Sequence, residues 1–157
     1  MQPTVYLETT IPSYLTARPS RDLLVAANQK LTHEWWGRRR ERFELLVSQI
    51  VIDEASAGDA KVSARQLKLL RDLHRLDVTD ACLSLGQALL AGTPIPPNAV
   101  ADALHMATAA VHRMDYLLTW NCAHIANAAM RPSIEHVCVT AGYNPPVICT
   151  PQELMED

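Results

Sequence analysis

Three carboxylates stand at places where the pattern of the chain gives them chemical use: Glu8 after the apolar run Val5-Tyr6-Leu7, Glu54 within QIVIDEA, and Asp102 early in ADALHMATAAV. Carboxylates brought together repel one another unless a proton or a cation lies between them. A hard ion such as Mg²⁺ or Mn²⁺ is held by one or two carboxylates together with water and phosphate. Such an ion lowers the pKa of an attacking water and stabilises a leaving oxygen, which is what phosphodiester hydrolysis requires. Other chemistries lack their residues. There is no GxGxxG after the first strand and no GxxxxGK[ST], and five glycines in all leave little backbone to cradle a phosphate. No GxSxG elbow surrounds Ser13, Ser48, Ser56 or Ser133, so serine hydrolysis has no support. The four cysteines form no CxxC pair and have no close histidine spaced for zinc, so they are expected to be reduced and mostly buried.

The acids must be carried to one place by the elements around them, and in an open parallel sheet that place is the carboxyl ends of the strands. Strand one ends at Glu8, and Pro12, which cannot donate to a ladder, disfavours helix at Ile11. A helix follows with Ser20 as cap and Asp22 in its first turn; Leu24, Ala27, Leu31 and Trp35 recur at helical spacing, and the pattern runs to about Arg42. Residues 44–47 read as a second strand, and Ser48 caps a helix over 49–57 that stops at Gly58 and carries Glu54. Residues 60–73 are helical, 76–78 form a third short strand, and Thr79 caps a helix ending at Gly92. The stiff connector Thr93-Pro94-Ile95-Pro96-Pro97 leads to Asn98, which is placed to cap the helix bearing Asp102 and His105 on one face. Ala103, Met106, Ala110 and Met114 lie on the other.

Tyr116 to Thr119 suits a strand buried on both faces. The polar turn after it carries Asn121, read as the N-cap of a helix starting near Ala123. A helix over 132–141 closes at Gly142, residues 147–149 give a fifth strand, and Thr150-Pro151-Gln152-Glu153 has the residues of a helix start. Strands that alternate with helices in this way predict an α/β fold: a three-layer α/β/α sandwich on a parallel sheet of five strands, with right-handed crossovers.

The 157 residues fit a single domain spanning 1–157, large enough to bury roughly 70% of the surface of its unfolded chain. The amino terminus lacks a basic stretch leading into an apolar one, and no run of about 18 apolar residues occurs, so a cytoplasmic protein is expected. A net charge of −3 argues against binding nucleic acid through a general basic field. Half of the 14 basic residues lie between Arg18 and Arg42. Arg38, Arg39 and Arg40 follow Trp35-Trp36, a pairing of guanidinium and aromatic faces that suits single-stranded RNA; equally, the tryptophans can be core and the arginines solvated. Thr119 is either a β-branched strand residue or a site contact. His105 and His112 are expected at the surface or hydrogen bonded rather than as ligands, and Asp115 belongs to the turn before strand four.

Three blocks, YLETT, VSQIVIDEASAGD and ADALHMATAAVHRMDYLLTWNCAHIANA, together resemble the ordered blocks of the PIN-domain family, in particular its VapC-type toxins. The resemblance spans nearly the whole chain. It implies a metal-dependent ribonuclease on an α/β/α fold that uses Mg²⁺ or Mn²⁺, acts on RNA, is commonly encoded with an antitoxin, and is commonly a homodimer. The family's first three acidic positions fall on Glu8, where Asp is more usual, Glu54 and Asp102. Its fourth, often Asp, falls on Asn121, with Thr119 two residues before. Glu8 has a longer reach than Asp, and Asn121 removes one formal charge, so an RNA- or partner-binding module with weak or no catalysis stands as the alternative.

Overall fold

The computed structural model describes residues 1–155. Five strands form one parallel sheet in the order β3-β2-β1-β4-β5: β1 Thr4–Leu7, β2 Glu44–Ser48, β3 His74–Leu76, β4 Tyr116–Leu118 and β5 Val147–Cys149. Val5, Tyr6 and Leu7 pair with Leu45 and Leu46 on one side and with Tyr116, Leu117 and Leu118 on the other. β1 is therefore central, and its three apolar residues are fully buried. Complete burial of an aliphatic side chain of this size contributes about 1.5–3 kcal/mol, so the short strands are stabilised by what covers them.

Seven α-helices accompany the sheet among the described residues: α1 Thr10–Thr16, α2 Leu23–Arg38, α3 Gln49–Ser56, α4 Ala60–Leu70, α5 Asp80–Gly92, α6 Val100–Val111 and α7 Arg131–Thr140. Right-handed crossovers place α1 to α4 on one face, because β1, β2 and β3 step outward in one direction. The return from β3 to β4 and on to β5 runs the other way and places α5, α6 and α7 on the opposite face. The contacts agree: α1 packs on α2 and α4, and α3 on α4, whereas α5 packs on α6 and α7. The predicted three-layer α/β/α sandwich is the observed one. No helix among the described residues is long and apolar enough to cross a membrane.

Several boundaries differ from those expected, each for a local reason. Pro12 lies inside α1, in the first turn, where its missing N–H is one that a helix leaves unpaired in any case. Asp22 caps α2, accepting from Val25 N at 3.0 Å, while the Ser20 hydroxyl accepts from Asp22 N. α2 stops at Arg38, and Arg40–Arg42 is a single 3₁₀ turn. β3 lies two residues earlier than predicted. Ala99, not Asn98, is the N-cap of α6 and has no side-chain cap bond. Ser48 begins α3 without capping it, since its hydroxyl is bonded elsewhere. No α-helix starts at Ala123: residues 122–125 make one turn that goes no further. Thr150 and Glu153 exchange the reciprocal bonds of a capping box, but residues 151–154 remain a turn. Thr79 caps α5 and Gly142 follows α7 with a φ of 92°, both as expected, whereas α3 ends at Ser56 with Ala57 as its C-cap and Gly58 lacks the left-handed φ of a glycine cap.

Candidate metal centre at the carboxyl ends of the strands

The sheet order reverses direction between β1 and β4, and at such a switch point the loops leaving the two strands part and open a crevice. Glu8 is the first residue after β1 and Thr119 the first after β4. The two meet across the crevice, with the Thr119 hydroxyl donating to Glu8 Oε1 at 2.6 Å. Thr10 adds its backbone N–H at 3.1 Å and its hydroxyl at 2.5 Å to the same oxygen. A buried carboxylate needs such donors in place of lost water, and Glu8 is only 4% exposed. All of these bonds use one oxygen of Glu8.

Glu54 comes from the helical layer of α1 to α4, on α3. Its Oε1 accepts from the Thr9 hydroxyl at 2.6 Å and pairs with His105 Nε2 at 2.5 Å. His105 is fully buried, with its Nδ1 2.7 Å from the Tyr6 hydroxyl, which in turn lies 2.7 Å from Ser48 Oγ. One ligand atom each from Glu8, Glu54 and His105 lies within 4.8 Å of the others. Desolvation, the largest influence on Glu54, pushes its pKa up; the bond and charge of His105 and the Thr9 hydroxyl outweigh it, so the carboxyl titrates below its ordinary value. Burial, together with the nearby charges of Glu8 and Glu54, pushes the Tyr6 phenol far up, against the opposing bond to Ser48, so it stays protonated and serves as a hydrogen-bonding group.

Asp102 lies one turn before His105 on α6, but its carboxylate is directed to another partner. Oδ2 is 2.7 Å from His124 Nδ1, with the Asp102 side chain 19% exposed. His124 is held by Asn121, whose Oδ1 accepts its backbone N–H at 3.0 Å, and Asn121 N donates to Thr119 Oγ at 2.9 Å. Asn121 thus caps a turn rather than a helix. A continuous set of hydrogen bonds runs from Glu8 through Thr119 and Asn121 to His124 and Asp102. Among the described residues Asp102 is outside the 4.8 Å cluster, and His105 is inside it.

Of the two situations expected for His105, the surface or a hydrogen-bonded position, it occupies the second, fully buried and bonded at both ring nitrogens. The available signal was its spacing of three from Asp102 combined with a helix whose other residues nearby, Ala103, Leu104, Met106 and Ala107, are all apolar. His124 passed unnoticed, although it stands three residues after Asn121, the offset of a side-chain-capped turn. His112 sits on the helix end, with Nε2 2.7 Å from the Asp77 carbonyl oxygen.

The arginine run lies at the other end of the sheet. Arg38, Arg39 and Arg40 precede β2, and this segment is tied to the start of β1 by Gln2 Nε2 donating to the Glu41 carbonyl and by Glu44 N donating to that of Pro3. Trp35 is fully buried and stacks on Phe43, and the Arg40 guanidinium sits 4.8 Å from the centre of the Trp36 ring. Asp115 is at this end also, binding the Thr4 backbone and hydroxyl.

Two carboxylates of different layers and an imidazole suit a divalent cation that accepts oxygen and nitrogen. Each carboxylate has its described protein bonds on a single oxygen, which leaves the second for an ion. The donor set fits Mg²⁺ or Mn²⁺ in charge.

No protein-family model and no curated protein matches the sequence. Solved structures do match in fold. A toxin–antitoxin complex from Klebsiella pneumoniae contains a chain that superposes with a TM-score of 0.59 at 19% identity, over 94% of this chain and 98% of that one. VapBC2 from Rickettsia felis, bound to a DNA fragment from its promoter, contains one with a TM-score of 0.55 at 16% identity, over 94% and 98%.

Proposed function

We propose that the protein is a divalent-metal-dependent endoribonuclease, the toxin member of a toxin–antitoxin pair. The observation that carries this reading is the convergence of Glu8, at the end of β1, and Glu54, on α3, at the switch point of the sheet. The fold shared with chains of two toxin–antitoxin structures supports it over other phosphodiesterases. Glu8 and Glu54 would hold the metal, and the Thr9, Thr10 and Thr119 hydroxyls fix one oxygen of each carboxylate. Mg²⁺ or Mn²⁺ bound there supplies an activated water and offsets the charge that develops on a phosphodiester. Asp102 holds the His124 ring by Nδ1. The cognate antitoxin is the proposed protein partner and RNA the proposed substrate.

The purified protein with Mn²⁺ is expected to cleave single-stranded RNA internally, and Glu8→Gln and Glu54→Gln are each expected to lower the rate about 100-fold or more, the scale on which groups that stabilise transition-state charge act. Cleavage that survives both changes ends this assignment. A second reading, an RNA-binding module with little catalysis, is favoured by one observation: Asp102 is engaged by His124 instead of joining the two glutamates. RNA retention with no heat of Mn²⁺ binding would select it.

A further inference from the structure

We propose that His105 supplies a nitrogen ligand to the cation held by Glu8 and Glu54, so that the site prefers a first-row transition ion such as Mn²⁺ to Mg²⁺. The proposal rests on the metal reading above and adds a ligand of a different class to it. Mg²⁺ takes oxygen donors, whereas transition ions accept imidazole readily. His105 is completely buried, and its ring is fixed at both nitrogens: Nε2 faces Glu54 Oε1 and lies within the 4.8 Å cluster, and Nδ1 faces the Tyr6 hydroxyl at 2.7 Å.

The chain of hydroxyls behind the ring can run in either direction. With the ring proton on Nε2, the ring donates to Glu54, Nδ1 accepts from the Tyr6 O–H, and Tyr6 accepts from the Ser48 O–H 2.7 Å away. With the proton on Nδ1, the ring donates to the Tyr6 oxygen, the Tyr6 O–H donates to Ser48 Oγ, and Nε2 turns a lone pair toward Glu8 and Glu54. A neutral ring carries one proton in both arrangements, so the change is between tautomers; in the second neither Nε2 nor Glu54 Oε1, 2.5 Å apart here, carries a proton, and the two draw apart as the cation takes the place of their hydrogen bond. The second arrangement is that of ligating histidines, in which the far ring N–H is held by a partner that sets the tautomer. The buried Nδ1 has the Tyr6 hydroxyl as its partner in both arrangements, as a buried polar atom requires; what distinguishes the second is the lone pair that Nε2 offers to a cation.

Pulsed electron paramagnetic resonance of the wild-type protein loaded with one equivalent of Mn²⁺ tests this directly. Modulation from a directly bound ¹⁴N is expected, shifting to the ¹⁵N pattern when histidine is labelled, persisting in His124→Gln and absent in His105→Gln. In parallel, calorimetry is expected to show Mn²⁺ binding about tenfold weaker in Tyr6→Phe, the usual scale for loss of a partner behind a ligand, with Mg²⁺ binding little changed. Tyr6→Phe and the labelled wild type keep the test intact if His105→Gln does not fold. Bound Mn²⁺ without nitrogen modulation, modulation that disappears in His124→Gln, or equal effects of Tyr6→Phe on both ions would overturn the proposal. Failure to bind Mn²⁺ at all would remove it together with the metal reading; nitrogen-coupled Mn²⁺ without RNA cleavage would end the nuclease reading and leave His105 as a ligand.

Discussion

Glu54 sits between opposing influences, a desolvation that raises its pKa and the stronger combination of His105 and Thr9 that lowers it below 4.5. The folded state therefore binds fewer protons at this residue than the unfolded chain just below pH 4.5. Its contribution to stability is fully present above that pH and is lost as pH falls through the lowered folded value. In metal-free buffer, the thermal midpoint of Glu54→Gln is expected to fall less steeply than that of the wild type across this acidic window. Parallel curves would contradict the His105–Glu54 pairing. A carboxylate after a first core strand, Glu8, is visible in the chain, but the partner of Asp102 is not. His124 lies 22 residues along the chain from Asp102, and only the turn at Asn121 brings it to 2.7 Å.

Elements are held by close contact as much as by pattern. A Cβ added to Gly92, the last residue of α5, would lie 2.7 Å from Val137 Cγ2 on α7, whereas one on Gly86 would lie 3.0 Å from the flexible end of Leu104. Gly92→Ala is expected to destabilise by about 1–3 kcal/mol through overpacking, which corresponds to a thermal midpoint lower by roughly 2–10 °C for a chain of this size. Gly86→Ala gains about 1 kcal/mol of helix propensity against a contact that Leu104 can relieve by a change of rotamer, so its midpoint is expected to stay within about 2 °C of the wild type. Equal losses for the two would show that the α5–α7 approach is looser than described. Helical periodicity located nearly every helix, because an apolar stripe against the sheet is a property of the sequence itself. It missed α1, where Pro12 fell in the first turn, and it placed a helix after Asn121, where the local cap signal is present but no continuing apolar stripe follows.

At the scale of the molecule, the candidate site arises because the connections leaving the adjacent parallel strands β1 and β4 run to opposite faces of the sheet, and Glu8 and Thr119 meet in the crevice between them. A ligand that binds only this assembled arrangement stabilises the whole fold, by about 2.7 kcal/mol at 100 times its Kd. Saturating Mn²⁺ is accordingly expected to raise the thermal midpoint by roughly 5–10 °C, and Glu54→Gln is expected to abolish the rise. An equal rise in that variant would place the bound ion elsewhere.

The sequence by itself determined the alternation of strands and helices, the fold class, and the positions of Glu8, Glu54, Asp102, Thr119 and Asn121, because periodicity, caps and strand ends are local properties. Only the tertiary structure decided which of these share a space. The order of the strands sends the Arg38–Arg40 segment to the amino end of the sheet, away from the glutamates, and the packing of α3 and α6 over the strand ends substitutes His105 for Asp102 beside Glu54. Proximity across layers depends on which face each crossover takes and on how a buried polar ring must be satisfied, and neither is written in the spacing of residues along one segment.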